Sequence, residues 1–460
     1  MAKRKLTAVQ TSAGKGTRLR PLNLYSLTSM QPKGLMRIMG MPIAELQLEQ
    51  FKAGKIKDVY QITQYLENRE HLSARFSDGR HRFGLNIHYS DPMYDETNNG
   101  NGDAILTNIE QYKLKGDSLW LPNDNLFEFN LERILKSHEE SGAAVTVLAI
   151  RMNPRATIKN YGLLNADQNH RLMEITEKPE TEQEVMKALK VSDPSELDRM
   201  SVLVNAGGYI LHNDALSKIA KEKWVIEGRK KTSGNFDMAG SLLKGMVHRD
   251  YKINVITIDA WGDFGTTSFF LETFQKTLNG HFPSVYETLK NRGYEFDDST
   301  HSWFHKDSLR QKYADGKTLE QRLALGRVEI GPNVFIGRDS IIEDGAQVRY
   351  SNLEKYSRIG IGAVVEHTYF SPYCQVGPYA YVGGSALGLA TKIKSSKHSQ
   401  TRVNGGSVTG SKVIVPEGTY LDSVTVFPGT RLKKRRYEHI VLRPDRKQIL
   451  QILDEYSKLA

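Results

Sequence analysis

Residues 330–353 read IGPNVF, IGRDSI, IEDGAQ, VRYSNL, and an aliphatic side chain opens each block: Ile330, Ile336, Ile342 and Val348. A small or short side chain often follows four places later, as Val334, Ser340 and Ala346 do. Hexapeptide recurrence marks a parallel β-helix, in which each six-residue block forms one side of a triangular coil. Four consecutive matches are hard to obtain from chance alternation in an ordinary β-domain. The rhythm resumes around Val376 and again in VIVPEGTYLDSVTVFPGT, residues 413–430. Between them a polar stretch, residues 388–408, is expected to project as a loop. The spacing thus predicts a β-helix over 328–440, followed by an amphipathic C-terminal helix over 441–460.

Upstream the texture is different. Residues 1–280 alternate β-rich runs with helical patterns: LTAVQ, DVYQIT, NIHYS, SLWLP and AAVTVLAI read as strands. PIAELQLEQFKAG reads as a helix, with Pro42 in its first turn and Gly54 beyond its end. Asn130 can cap the helix that begins at Leu131. Such alternation predicts an α/β, Rossmann-like domain with a mostly parallel sheet, whose ligands bind at the carboxyl ends of strands. Residues 281–327 are polar and weakly periodic and are expected to form a helical linker.

With 460 residues the chain is long enough for two or three domains. Its 39% apolar and 25% charged composition is ordinary for a globular protein. No apolar run approaches the roughly 20 residues that span a bilayer. MAKRK leads straight into strand-like sequence without a signal core, so the expected location is cytoplasmic, with no membrane partner. One cysteine, Cys374, excludes an internal disulfide framework and reads as a small buried hydrophobe. The net charge of +10 is compatible with phosphorylated partners. The densest basic run, Arg431 to Arg436, reads as a solvated surface away from the motifs below, and nucleic acid is not expected as a partner.

Directly after the first strand comes Ser12-Ala13-Gly14-Lys15-Gly16-Thr17-Arg18-Leu19-Arg20-Pro21. Two glycines one residue apart let a backbone turn tightly and bring N–H groups close to phosphate oxygens. The stretch is not a GxxxxGK[ST] loop, and Leu19 stands where a dinucleotide fingerprint needs its third glycine. Downstream, Lys33 sits in Gln31-Pro32-Lys33-Gly34-Leu35.

With these residues the chain resembles the sugar-1-phosphate nucleotidyltransferases, the thymidylyl, uridylyl and guanylyl enzymes included. The match runs through Gly14, Gly16, Thr17, Arg18, Leu19, Pro21, Leu22, Pro32, Lys33 and Leu35, and departs at Ser12. Further blocks follow in the family's order: Asn99-Gly100-Asn101-Gly102-Asp103, Leu121-Pro122-Asn123-Asp124-Asn125, Tyr161-Gly162-Leu163, Glu177-Lys178-Pro179, Asn205-Ala206-Gly207 and Trp261-Gly262-Asp263. Asn123 replaces the usual glycine of its block. A hexapeptide solenoid, left-handed in such proteins, is a common companion of this catalytic domain.

The resemblance implies roles. Gly14, Gly16 and Thr17 would wrap a triphosphate whose charge Arg18 and Lys33 offset, and Gly100 would lie against the nucleobase. Gly162, Glu177 and Asn205 would select the sugar, with Lys178 on its phosphate. Asp124 and Asp263 would hold Mg2+. The implied partners are a nucleoside triphosphate, a sugar 1-phosphate and further copies of the chain, joined through the solenoid. The resemblance fixes neither the nucleobase nor the sugar, and Asp95 lies five residues before Gly100, where a glutamine is frequent in the thymidylyl and uridylyl enzymes. A non-catalytic regulatory relative would be expected to lose these charged positions, which the chain keeps. A bifunctional enzyme would need an acyltransferase base in the solenoid, for which His367 and His398 are the candidates. The solenoid is expected to serve assembly alone, so that a chain cut near residue 320 would still turn over.

Overall fold

The computed structural model describes residues 6–12, 14, 16–91, 98, 100–231 and 236–457. The chain divides into two compact units, Met1–Gly14 with Gln47–Trp261, and Lys15–Leu46 with Gly262–Ala460.

In the first unit, nine strands among the described residues form one sheet. Leu6–Ser12 lies parallel to both Asp58–Thr63 and Asp117–Pro122, and Asn86–Tyr89 extends the parallel set. Val202–His212 then runs antiparallel to Asp117–Pro122, Val145–Met152 and Leu163–Ala166. Leu172–Thr176 closes that edge antiparallel, and Ile253–Thr257 pairs parallel with Val145–Met152. The sheet is therefore mixed, not mostly parallel, because one 11-residue strand returns against three neighbours. Helix–strand alternation reads the same in either direction, so strand direction was not legible.

Local chemistry set the elements as expected. Helix Ile43–Ala53 stops before Gly54, though Pro42 stands in the strand Met41–Pro42 just ahead of it and not in its first turn, and Leu131–Ser141 begins where Asn130 accepts a hydrogen bond from Arg133 N at 3.0 Å. The central strand Asp117–Pro122 is buried on both faces, which accounts for its run of apolar residues. Its Trp120 packs with Val9, Ile62, Ile105, Val147 and Tyr209 in one core.

The second unit contains the solenoid. Short strands stack in parallel on three faces, beginning at Glu329–Ile330, Phe335–Ile336 and Ile341–Ile342. Equivalent positions on one face are Phe335, Asn352, Tyr369 and Ala386, a step of 17 residues. From Val348 to Leu387 the coils thus have two six-residue sides and one of five, as the buried series Val348, Leu353, Ile359, Val365, Phe370, Val376, Val382, Leu387 shows. The missing residue explains why strict hexapeptide counting lost the rhythm after Val348. Cys374 is buried inside the coil, and burial raises its thiol to about 12.

Two expectations change here. The polar stretch 388–408 is mostly solenoid, since Lys392–Ile393, Arg402–Asn404 and Val408–Thr409 continue the three faces. Only the connection between Lys392–Ile393 and Arg402–Asn404 lengthens. Residues 281–327 hold helices Pro283–Lys290, Lys306–Arg310 and Leu319–Ala324, but also an antiparallel hairpin, Tyr294–Asp297 with Ser302–His305. Ser302–His305 pairs with Phe335–Ile336, so the hairpin starts one face of the solenoid. Tyr286, Phe296 and Trp303 rings cluster behind it at 4.9–5.7 Å. The C-terminal helix spans Arg446–Ser457.

Candidate active site

The carboxyl ends of three parallel strands, at Ser12, Thr63 and Pro122, lie side by side in the first unit. A pocket opens there, lined by Thr11, Gln64, Pro122, Gly100, Asn101, Gly207 and Tyr209 among others. Gly14 is exposed just beyond Ser12, with open space where a side chain would stand. Ala13, Lys15, Asp95 and Asn99 lie outside the described residues.

Gly100 lines this pocket, and the chain itself demands the glycine. Its φ is +112°, and a Cβ would meet the Phe236 carbonyl oxygen at 2.8 Å. Neighbouring bonds close the same junction: Asp103 N donates to Phe236 O at 3.1 Å, and Met238 N to Asn101 Oδ1 at 2.7 Å.

Asp124 occupies the turn between strands Asp117–Pro122 and Asn125–Glu128. That turn is held from below by buried amides. Gln10 Nε2 donates to Gln47 Oε1 at 2.7 Å, and Gln47 Nε2 donates to the carbonyls of Pro122 and Asn125, each at 2.7 Å. Asn125 Nδ2 donates to Asp124 Oδ1 at 3.1 Å, while Asn125 Oδ1 accepts from Trp261 Nε1 at 2.9 Å. Trp261 is packed edge-on against Tyr161. Trp261 is thus buried as a core residue would be, but it also orients the amide that holds Asp124. Gln47 and Trp261 carry no sequence signal for this task beyond being polar or aromatic in a buried element. Trp261→Phe, which keeps the packing and loses one hydrogen bond of about 0.5–1.5 kcal/mol, should lower kcat roughly three- to tenfold. An unchanged kcat in steady-state assays would remove Trp261 from this chain of support.

Gly162, Glu177 and Asn205 come together. A Cβ on Gly162 would stand 2.5 Å from Glu177 Oε2 and 3.6 Å from Asn205 Cβ. Asn205 N donates to Gly162 O at 2.8 Å. A bulge interrupts the pairing between Asn205 and Gly208, and Gly207 has φ +77° there. Bulges re-aim side chains beside active sites. Asn205 Oδ1 accepts from Gly207 N at 2.9 Å and its Nδ2 donates to Tyr209 OH at 2.9 Å, which fixes the amide. Lys178 follows at φ +43°, its side chain 58% exposed and its Nζ 3.9 Å from Glu177 Oε1.

Glu177 Oε2 is buried with no hydrogen-bond partner among the described residues. Burial raises the Glu177 carboxyl above the usual range; Lys178 opposes this, and Asp237 adds to it. Asp237, which sequence reading missed, caps the π-helical turn Met238–Leu243 through Ser241 N at 3.2 Å and Gly240 N. A carboxyl whose folded pKa is raised destabilises the fold by an amount that grows as pH rises past its unfolded pKa and is complete above the folded one. Glu177→Gln should therefore gain melting temperature over wild type near pH 7 and lose that advantage as pH falls through the carboxylate range. Thermal melts of the ligand-free proteins check this; a variant that melts lower at pH 7 than at pH 4, each relative to wild type, would contradict it.

In the second unit, Gly16 has φ +63°, and a Cβ there would meet Asn23 Nδ2 at 2.8 Å and Lys33 Cγ at 3.2 Å. Asn23 Nδ2 donates to Gly16 O at 3.3 Å and to Gln31 O at 3.4 Å, tying the loop to the segment that carries Lys33. Thr17–Leu19 and Lys33–Leu35 each form one 3-10 turn. Asp263 Oδ1 accepts from Gly265 N at 2.7 Å. A Cβ on Gly265 would lie 3.0 Å from Asp263 Oδ1 and 3.5 Å from Arg18 Nη2, so the guanidinium and the carboxylate flank the same glycine.

Asp124 and Asp263 each present a carboxylate, a hard oxygen donor of the kind a divalent cation takes, and each is steadied by a hydrogen bond to one oxygen within its own unit. Among the described residues no three His, Cys, Asp or Glu side chains gather as a ready-made metal cage. No helix among them is long and apolar enough to cross a membrane. In the solenoid, His367 stacks face to face on Tyr350 at 4.6 Å, and His398 is exposed.

The nucleotidyl transferase family profile matches residues 8–280, and that of the GMPPB C-terminal domain matches residues 325–441. A UTP–glucose-1-phosphate uridylyltransferase of Synechocystis sp. is 25% identical over 409 residues, covering 85% of this chain and 94% of that protein. A glucose-1-phosphate adenylyltransferase of Corynebacterium diphtheriae is 25% identical over 389 residues, covering 80% and 84%. A mannose-1-phosphate guanylyltransferase of Mycobacterium tuberculosis is 27% identical over 354 residues, covering 76% and 82%.

Proposed function

The chain belongs to the nucleotidyl transferase family and is a sugar-1-phosphate nucleotidyltransferase, and from that premise we propose how its residues divide the work. A phosphate oxygen of the sugar 1-phosphate attacks the α-phosphorus of a nucleoside triphosphate, and pyrophosphate leaves. The nucleophile is already anionic, so no general base is required. The task is to bring two polyanions together in line.

Arg18 and Lys33 offset the charge of the triphosphate, whose oxygens meet backbone N–H groups around Gly14, Gly16 and Thr17. The nucleobase lies by Gly100. Glu177 and Asn205 accept and donate hydrogen bonds to sugar hydroxyls, Gly162 leaves room for the ring, and Lys178 meets the sugar phosphate as a point charge. The convergence of Gly162, Glu177 and Asn205 beside Lys178 is the observation that carries this assignment.

Enzymes of this family generally use a divalent metal. We assign it as magnesium, with Asp124 and Asp263 as its carboxylates. When bound, it would neutralise charge on the phosphate oxygens. The solenoid's stacked flat faces suit self-association, and we assign it assembly of identical chains, without acyltransferase activity.

The test is a panel of nucleoside triphosphates against glucose 1-phosphate and mannose 1-phosphate, read by pyrophosphate release. One nucleotide and one sugar should dominate. Equal turnover of every pair would contradict a sugar pocket built by Glu177 and Asn205.

A further inference from the structure

We propose that Glu354, Asn352 and Tyr369, all on the β-helix, are positioning residues for the loop segment that carries Arg18 and Lys33. The inference rests on the reading that those two cations serve the triphosphate.

The segment Lys15–Leu46 belongs to the same compact unit as the solenoid. Its two-stranded turn, Arg37–Ile38 with Met41–Pro42, reverses through Met39 and Gly40 at φ +45° and +82°. The turn's polar groups are answered by the coil. Met39 N donates to Asn352 Oδ1 at 2.9 Å, and Gly40 N donates to Glu354 Oε1 at 2.8 Å. Arg37 Nε donates to Glu354 Oε2 at 2.9 Å, and Tyr369 OH donates to Arg37 O at 2.9 Å. Asn352 and Tyr369 are register partners on adjacent coils, so one patch of one face holds the whole turn.

The path from this patch to Lys33 is short. Met36 N donates to Lys33 O at 2.9 Å, and Ile43 N donates to Met36 O at 3.0 Å, so the 3-10 turn and the hairpin are bonded to one another. The same patch also reaches the Asp263 turn. The Tyr369 ring meets Phe270 edge-on at 4.6 Å, and Phe270 meets Phe264, the residue after Asp263, at 5.3 Å. One coil face therefore braces both the cationic loop and a proposed metal carboxylate.

The chemistry argues for placement and not for stability alone. Glu354 is fully buried, and taking a carboxylate out of water is expensive unless it is paired and hydrogen-bonded. Apolar replacements of buried ion pairs are often neutral or stabilising, so the Arg37–Glu354 pair is weak evidence for stability and we read it as a device of placement. A solenoid lined with Ile, Val and Leu does not need this carboxylate to hold together. On this reading a chain cut near residue 320 would lose the groups that hold the Arg37–Pro42 turn.

The experiment measures kcat/KM for each substrate in the full-length protein. Glu354→Gln should lower kcat/KM for the nucleoside triphosphate about tenfold or more, since misplacement by about 1 Å can cost 10² in rate. KM for the sugar phosphate should stay within about twofold. Tyr369→Phe, which keeps the ring stack and loses only the bond to Arg37 O, should act in the same direction by a smaller factor. In a Lys33→Ala background the effect of Glu354→Gln should largely vanish, as expected of residues acting through one another. A KM for the sugar phosphate that rises as much as that for the triphosphate, or a full Glu354→Gln effect on top of Lys33→Ala, would overturn the inference. If Lys33→Ala itself leaves triphosphate use unchanged, the reading of Lys33 fails instead; if Lys33→Ala impairs it while folded Glu354→Gln and Tyr369→Phe do not, only the positioning role fails.

Discussion

Asp124→Asn and Asp263→Asn are each expected to lower kcat by roughly 10²–10⁴ while leaving the protein folded. Metal stabilisation of developing phosphate charge contributes several kcal/mol, and about 1.36 kcal/mol corresponds to one decade in rate. An amide keeps the size of the carboxylate and the hydrogen bonds from Asn125 and Gly265, but supplies no charge to a hard cation. Raising the magnesium concentration should recover part of the loss, as expected of a carboxylate proposed to hold the ion. Steady-state kinetics over a magnesium titration, with circular dichroism as the folding control, decides it. A folded variant that turns over within a few-fold of wild type would remove that aspartate from the site.

The second large effect separates the two ends of the reaction. Lys178→Ala should chiefly raise KM for the sugar phosphate, whereas Arg18→Ala should chiefly impair use of the triphosphate. Loss of a preorganised charge at a reacting phosphate costs roughly 10²–10³. Lys178 is more than half exposed and close to Glu177, so its loss should leave the fold untouched. Arg18 stands with Asp263 around Gly265, and its removal should also weaken the metal dependence. Initial rates over a two-substrate grid read both. The reverse pattern would mean that the roles of Lys178 and Arg18 are exchanged.

How much of this was legible follows from the range of each interaction. Motifs that lie within one strand–turn unit could be read directly: the Gly-x-Gly turn, the Asn130 cap and the repeat opening at Ile330 depend on neighbours in sequence. The sugar trio was legible only through resemblance, since Gly162, Glu177 and Asn205 meet across strands and a bulge that no local pattern announces. The five-residue side of each coil hid the solenoid between Val348 and Val376, although its buried series never breaks there. Gly100 was assigned to a nucleobase, and the structure adds a second demand on it from the Phe236 backbone.

Least legible of all was the bond between the loop segment and the coil. Arg37 and Glu354 are 317 residues apart, and neither belongs to a motif. A buried arginine–glutamate pair has no sequence signature, because each residue alone reads as an ordinary surface charge. The same holds for Gln47 beneath the Asp124 turn, which in a helix reads as one more polar position.

The central claim, transfer of a nucleotidyl group to a sugar phosphate, is tested most directly by following the label of a nucleoside triphosphate. With the preferred pair of substrates, an α-phosphorus label should pass entirely into the nucleotide sugar, and a γ label entirely into pyrophosphate. Labelled orthophosphate, or a γ label appearing on the sugar, would contradict the account.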